Sequence, residues 1–167
     1  MAKKAKIIPA PNCPYCGQPS ALRVGSEVYP HRADLWSKFF YVCDPCGARC
    51  GCHGTTKNPL GVPANAALRD ARMKLHDEML DPLWKNAVVA GDYQPEDEKA
   101  RIIIVRTARS RTYAFLADRM GLTKEQTHTA LFTLEQCRAA WRALRGVTFS
   151  EIREWAKARK TEKEQAA

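Results

Sequence analysis

Cys43-Asp44-Pro45-Cys46-Gly47-Ala48-Arg49-Cys50-Gly51-Cys52-His53-Gly54, or CDPCGARCGCHG, holds four thiols and an imidazole between Cys43 and His53. Its start repeats an earlier form. Cys13-Pro14-Tyr15-Cys16-Gly17 and Cys43-Asp44-Pro45-Cys46-Gly47 are each Cys, two residues, Cys, then Gly. Two-residue spacing lets both thiolates of a knuckle reach one tetrahedral ion, and the glycine admits a tight turn whose amides bond back to sulfur. With 26 residues of partly strand-like sequence between them, the knuckles read as a zinc ribbon holding Zn²⁺ on Cys13, Cys16, Cys43 and Cys46. A thioredoxin-type redox pair is the competing reading, but two CxxCG units without a βαβ pattern argue against it. A closed four-thiolate site leaves no open coordination position, so the zinc is expected to fold the module and not to catalyse.

Cys50, Cys52 and His53 remain. Cys52 and His53, with His76, are the candidates for a second, more open metal site, to which His128 or Cys137 are further candidate ligands. The competing reading, which the sequence favours, is a strand-end thiol, a buried thiol and a hydrogen-bonded imidazole.

The chain has 167 residues, with 27 Lys and Arg against 18 Asp and Glu and a formal charge of +9. Four thiolates on one Zn²⁺ lower that by two, and the surplus persists. A positive field of this kind suits a polyanion, meaning DNA or RNA or an acidic protein surface. No apolar run approaches a bilayer span, the longest being Ile102-Ile103-Ile104-Val105, and Pro9 interrupts the lysine-bearing start. A cytoplasmic protein with no membrane partner is expected, in which clustered CxxC pairs are metal ligands more often than disulfides.

The expected fold class is α+β, an N-terminal four-cysteine zinc ribbon with a C-terminal helical region. Residues 1–11 read as a flexible basic arm, 12–63 as the zinc-ribbon module, 64–149 as a helical domain, and 150–167 as a last helix with a charged tail. Strands are expected at Ala21–Tyr29 and Lys38–Val42. Asp81 and Pro82 are expected to open a short helix, and Glu96-Asp97-Glu98 to mark another helix start. Arg101–Arg106 stands open between helix and strand. Capping boxes at Thr123 and Thr133 predict a helix after each, and Ser150 is expected to cap the last helix.

The knuckles CPYCG and VCDPCG, the block CHGTTKNPLGVPANAALRDARMKLHDEMLDPLW at 52–84 and RTYAFLADRMGLTKEQTHTALFTLEQCRAAW at 111–141 together resemble the zinc-finger-containing domain family of bacteria, phages and prophages. The resemblance implies a zinc ribbon with a helical extension on a phage- or prophage-encoded protein. It implies no reaction. The segment DYQPEDEKARIIIVRTARS and Cys50 look like departures from the family pattern.

Lys3, Lys4 and Lys6 in the arm, Arg101, Arg106, Arg109 and Arg111 in one run without an acid, Lys124, and Arg138, Arg142 and Arg145 at helical spacing are the candidate nucleic-acid contacts. The competing reading of each series is a solvated helix face. LADRMGLTKEQTHTAL, residues 116–131, has the outline of a helix-turn-helix, as does any helical hairpin. Three functions are weighed. The first is a non-catalytic zinc-stabilised nucleic-acid-binding protein, and the second a docking module that inhibits or redirects a host enzyme. The third, a metal-dependent nuclease, would use His53 or His76 with Asp70, Asp77 or Glu78; no catalytic residue is assigned.

Overall fold

The structure, a computed structural model, describes residues 9–165. It mixes a three-stranded sheet with helices, an α+β arrangement, and divides into two compact units, Met1–Asp70 and Ala71–Ala167. No helix among the described residues is long and apolar enough to cross a membrane.

In the first unit, β1 (Ala21–Val24), β2 (Phe39–Val42) and β3 (Arg49–Gly51) form an antiparallel sheet with β2 in the middle. The register runs Ala21↔Val42 to Val24↔Phe39 and Phe40↔Gly51 to Val42↔Arg49. Side chains alternate between faces along a strand. Tyr41, Cys50 and Cys52 accordingly bury together with Phe39 against them, while Phe40 meets Tyr29 edge-on at 5.1 Å.

The first expected strand is too long. It ends at Val24, and Gly25–Val28 forms a short helix, α1. Gly25 sits so close to the next segment that a Cβ there would lie 1.7 Å from the Leu35 carbonyl oxygen. Glu27 then turns its carboxylate back to accept the Val24 N–H at 3.0 Å, which suits a helix start and ends the strand. The third strand, β3, is absent from the sequence-based expectation: only three residues form it beyond the second knuckle, too few for an alternating pattern to register.

The chain continues through α2 (Ala66–Lys74), a π-helical turn at Leu75–Leu80, and α3 (Asp81–Lys85). Asp81 does not cap. Both Leu80 and Asp81 hold right-handed helical angles, so the helix runs through them. Pro82 has no N–H for the carbonyl four residues earlier and crowds it, and the widened turn, in which the Asp81 N–H reaches the His76 carbonyl, relieves that conflict.

The second unit is organised around α5 (Glu98–Met120), capped by Asp97, whose side chain accepts the Ala100 N–H at 2.7 Å. It ends at Gly121, held at φ 63°, the left-handed conformation that favours glycine. Arg101–Arg106 is therefore helical. Against α5 pack α3, α4 (Ala87–Ala90), α6 (Leu134–Leu144) and α7 (Phe149–Gln165). Phe115, Leu116, Phe132, Leu144 and Ile152 are fully buried among them.

Capping reads unevenly. At Thr133 the box forms and α6 follows. At Thr123 both box hydrogen bonds also form, the Gln126 N–H donating to Thr123 Oγ1 and the Thr123 N–H to Gln126 Oε1, yet only a turn results. Thr127 buries, returning its hydroxyl to the Thr123 carbonyl, and Thr129 buries at the start of a 3-10 turn, Thr129–Leu131. Burying those two threonines redirects the chain before a helix can propagate. The second helix of the helix-turn-helix outline is absent, and Thr127 faces inward. The last helix is capped by Thr148, not Ser150: Thr148 Oγ1 accepts the Glu151 N–H and the Glu151 carboxylate accepts the Thr148 N–H.

Candidate metal centre

Each knuckle is built by the same local bonds. Cys13 N–H donates to the Gln18 carbonyl and Gly17 N–H to the Cys13 carbonyl, both at 2.8 Å. Cys43 N–H to Ala48 and Gly47 N–H to Cys43 repeat both distances. Gly17 and Gly47 take φ of 73° and 63°, which a side chain would strain. Folding the chain back at two equivalent turns points four thiols at one place. The ligand atoms of Cys13, Cys16, Cys43 and Cys46 all lie within 4.8 Å of one another, with Cys16 and Cys43 Sγ at 3.4 Å.

The donor set fits zinc. A tetrahedral ion with Zn–S bonds of about 2.3 Å needs sulfurs about 3.8 Å apart, within the span the thiols already occupy. Cys13 and Cys43 are buried with Ala48, while Cys16 and Cys46 face solvent.

The electrostatics of the thiols by themselves show what the ion supplies. Burial opposes charge on Cys13, but the amides of Tyr15 and Cys16 and the thiols of Cys43 and Cys16 outweigh it and bring the group down to about 7. Cys46 is pushed up to about 12, first by its hydrogen bond with Cys16 and then by burial. Burial likewise pushes Cys43 up. Cys43 and Cys46 therefore resist ionising beside Cys13. Bound Zn²⁺ supplies the positive charge that lets all four ionise, and so ties the two knuckles together.

The other expected ligands are placed elsewhere. Cys52 buries beside Tyr41 and Cys50, and burial pushes its thiol up. His53 is exposed in a turn in which its N–H donates to the Asn58 carbonyl at 2.9 Å. His76 lies on the π-helical turn, with Nε2 2.6 Å from Thr129 Oγ1 and Nδ1 3.5 Å from Asp81. Among the described residues, the four knuckle cysteines are the one set of three or more His, Cys, Asp or Glu brought to metal-binding distance.

The basic residues divide in two. Arg101 is tied to Glu98 and Arg138 to Glu135 within their own helices. Arg106, Arg109, Lys124, Arg142 and Arg145 are exposed and Arg111 half-buried, and none of these six makes an ion pair among the described residues. Arg109 stacks between Trp84 and Tyr113, 5.4 and 5.7 Å from their ring centroids. Arg145 follows the end of α6 with extended angles, φ −60° and ψ 120°, so it does not continue the helical face of Arg138 and Arg142. Lys3, Lys4 and Lys6 lie outside the described residues. Tyr15, Arg49 and Arg69, which the sequence reading passed over, are gathered around Ala64. The available signal was the place of Tyr15 between two ligand cysteines and of Arg49 three residues beyond Cys46.

A family model described as a zinc-finger-containing domain matches residues 9–147. No curated protein and no solved structure matches the chain.

Proposed function

Since the chain belongs to the zinc-finger-containing domain family, we propose that it is a cytoplasmic, zinc-stabilised nucleic-acid-binding protein of phage or prophage origin, acting without catalysis. In this reading Cys13, Cys16, Cys43 and Cys46 hold one structural Zn²⁺ in a ribbon, and the basic surfaces meet the phosphate backbone.

One observation carries the reading. On α5, Arg106 and Arg109 stand three residues apart, exposed and without carboxylate partners among the described residues, and Arg109 is propped by two aromatic rings. Held guanidiniums cost little further entropy when they meet phosphate, and Arg grips phosphate with a planar fork. The test is fluorescence anisotropy with labelled single- and double-stranded DNA and RNA across a salt series. Binding that weakens linearly in log salt supports the reading, while no binding at about 50 mM salt refutes it.

A second reading, docking onto a host protein, is favoured by a different feature. Val89 is 85% and Ile103 64% exposed, more apolar surface than a phosphate-binding face requires. A discrete stoichiometric complex with one protein and no salt-sensitive nucleic-acid binding would select it.

A further inference from the structure

Around Ala64 the first unit gathers two guanidiniums, neither of them paired with a carboxylate among the described residues. The Ala64 carbonyl accepts both the backbone N–H of Arg49 at 3.0 Å and Nη1 of Arg69 at 2.7 Å. That shared acceptor brings the Arg69 guanidinium of α2 back to the strand that carries Arg49. Arg49 donates from Nε to the Tyr29 hydroxyl at 3.0 Å, and its guanidinium lies over the same ring, 4.6 Å from the centroid.

Neither arginine makes an ion pair among the described residues; their acceptors, a phenol and a peptide carbonyl, are neutral. The carboxylates of this region are engaged elsewhere. Asp44 pairs with Arg23 at 3.0 Å, and Glu27 accepts the Val24 N–H. Arg23, Glu27, Asp44 and Arg49 are among the residues lining an open groove of about 360 Å³, and the first turn of α2 adds no acid. Holding two like charges together costs free energy. Burial, then the charge of Arg49, lowers the pKa of Arg69. An anion between the two guanidiniums would remove that cost.

The neighbouring ring discriminates among anions. Tyr15, between ligands Cys13 and Cys16, accepts the Asn65 N–H on its hydroxyl at 3.1 Å, yet the residue is 46% exposed. A ring tethered at its tip and open to solvent is a platform for an unpaired base. A duplex keeps its base faces stacked within itself and cannot use it.

We infer that the face formed by Tyr15, Tyr29, Arg49 and Arg69 binds single-stranded nucleic acid, the guanidiniums gripping a backbone phosphate and Tyr15 stacking on an adjacent base. The inference rests on the nucleic-acid reading above and adds a second binding face, on the zinc-bearing unit. Because Tyr15 sits within a knuckle, the platform exists only while zinc holds that knuckle.

The experiment uses the full zinc-loaded chain and a fluorescein-labelled mixed-sequence 12-mer, as single strand and as duplex, in DNA and RNA. Arg49→Gln with Arg69→Gln is expected to weaken single-strand binding about tenfold or more and to reduce the magnitude of the log-salt slope by about 0.7, for the one phosphate charge left unneutralised. Tyr15→Leu should weaken single-strand binding with the slope unchanged. Arg69→Lys, which keeps the charge and removes the fork, should keep the slope and serves where the double variant fails to hold zinc. Zinc content verifies each variant.

If wild type binds single strands and these variants bind them equally well, with Arg106→Gln/Arg109→Gln alone abolishing binding, this inference falls and the broader reading stands. No salt-dependent binding by wild type overturns both. Equal competition by a poly-glutamate peptide and by the 12-mer would overturn the assignment in favour of an acidic protein partner.

Discussion

Cys46→Ser isolates what the zinc contributes. Cys46 is exposed, so replacing sulfur by oxygen leaves no cavity, and the effect reports on the metal. The three strands hold four, four and three residues, whose ordering costs about 11 to 22 kcal/mol at about 1 to 2 kcal/mol each. Against that, the sheet buries Tyr41, Cys50 and Cys52 with Phe39 beside them, worth about 5 kcal/mol at about 1.5 to 3 kcal/mol for a large apolar side chain and less for a thiol. Ladder hydrogen bonds add about 1 kcal/mol each at most in net terms. A structural zinc supplies about 10 to 16 kcal/mol, enough to cover what remains. With three thiolates left, the variant should lose its zinc to a chelator that wild type withstands. Amides of Phe39–Val42 should then exchange as in an unfolded chain, while amides near Phe115–Ala117, in a unit with its own buried core, stay protected. Hydrogen exchange read by mass spectrometry decides the matter. Full protection of Phe39–Val42 in zinc-free Cys46→Ser would refute the reasoning, since the sheet would then stand on apolar burial alone.

Gly25→Ala drives a methyl into the Leu35 backbone and should destabilise the first unit by about 1 to 3 kcal/mol, the usual cost of overpacking, seen as a lower urea midpoint for loss of sheet protection. Thr133→Ala removes the α6 cap and should cost about 1 kcal/mol. Thr123→Ala, whose capping box leads no α-helix, should cost less, and a thermal melt of each separates them. Asp81 is opposed by burial but held below the usual carboxylate range by Lys85, 2.7 Å away, and then by His76. Its folded pKa is depressed, so its stabilisation is present above the unfolded value of about 3.9 and lost as pH falls through the lower folded value. Asp81→Asn should therefore flatten the fall in urea stability between about pH 5 and 2 relative to wild type, and an unchanged slope would contradict the assignment.

Local rules carried the sequence reading far at the knuckles and at the caps of α5 and α6. A CxxCG turn depends on its own five residues, and so do Asp97 over Ala100 and Thr133 over Gln136. Where two demands compete, neighbours distant in sequence decide. The β-rich run of Ala21–Tyr29 breaks at Gly25 because Leu35 presses on it. The isoleucines of Arg101–Arg106 are helical because Asp97 starts a helix and Ile104 meets Ala87, Ala108 and Phe149. The box at Thr123 yields only a turn because Thr127 and Thr129 are drawn inward.

The same division applies to the sites. Cys13, Cys16, Cys43 and Cys46 could be chosen from spacing, because a two-residue loop geometrically commits both thiols of a knuckle to one ion, and two such loops complete a tetrahedron. The grouping of Arg49, Arg69 and Tyr15 around Ala64 could not. These residues lie as far as 54 positions apart, and nothing in their spacing announces that one carbonyl will accept hydrogen bonds from two arginines. Spacing determined the metal ligands because covalent geometry is local. Only tertiary structure decided which charges meet, because the hydrogen bonds that place them join segments far apart in sequence.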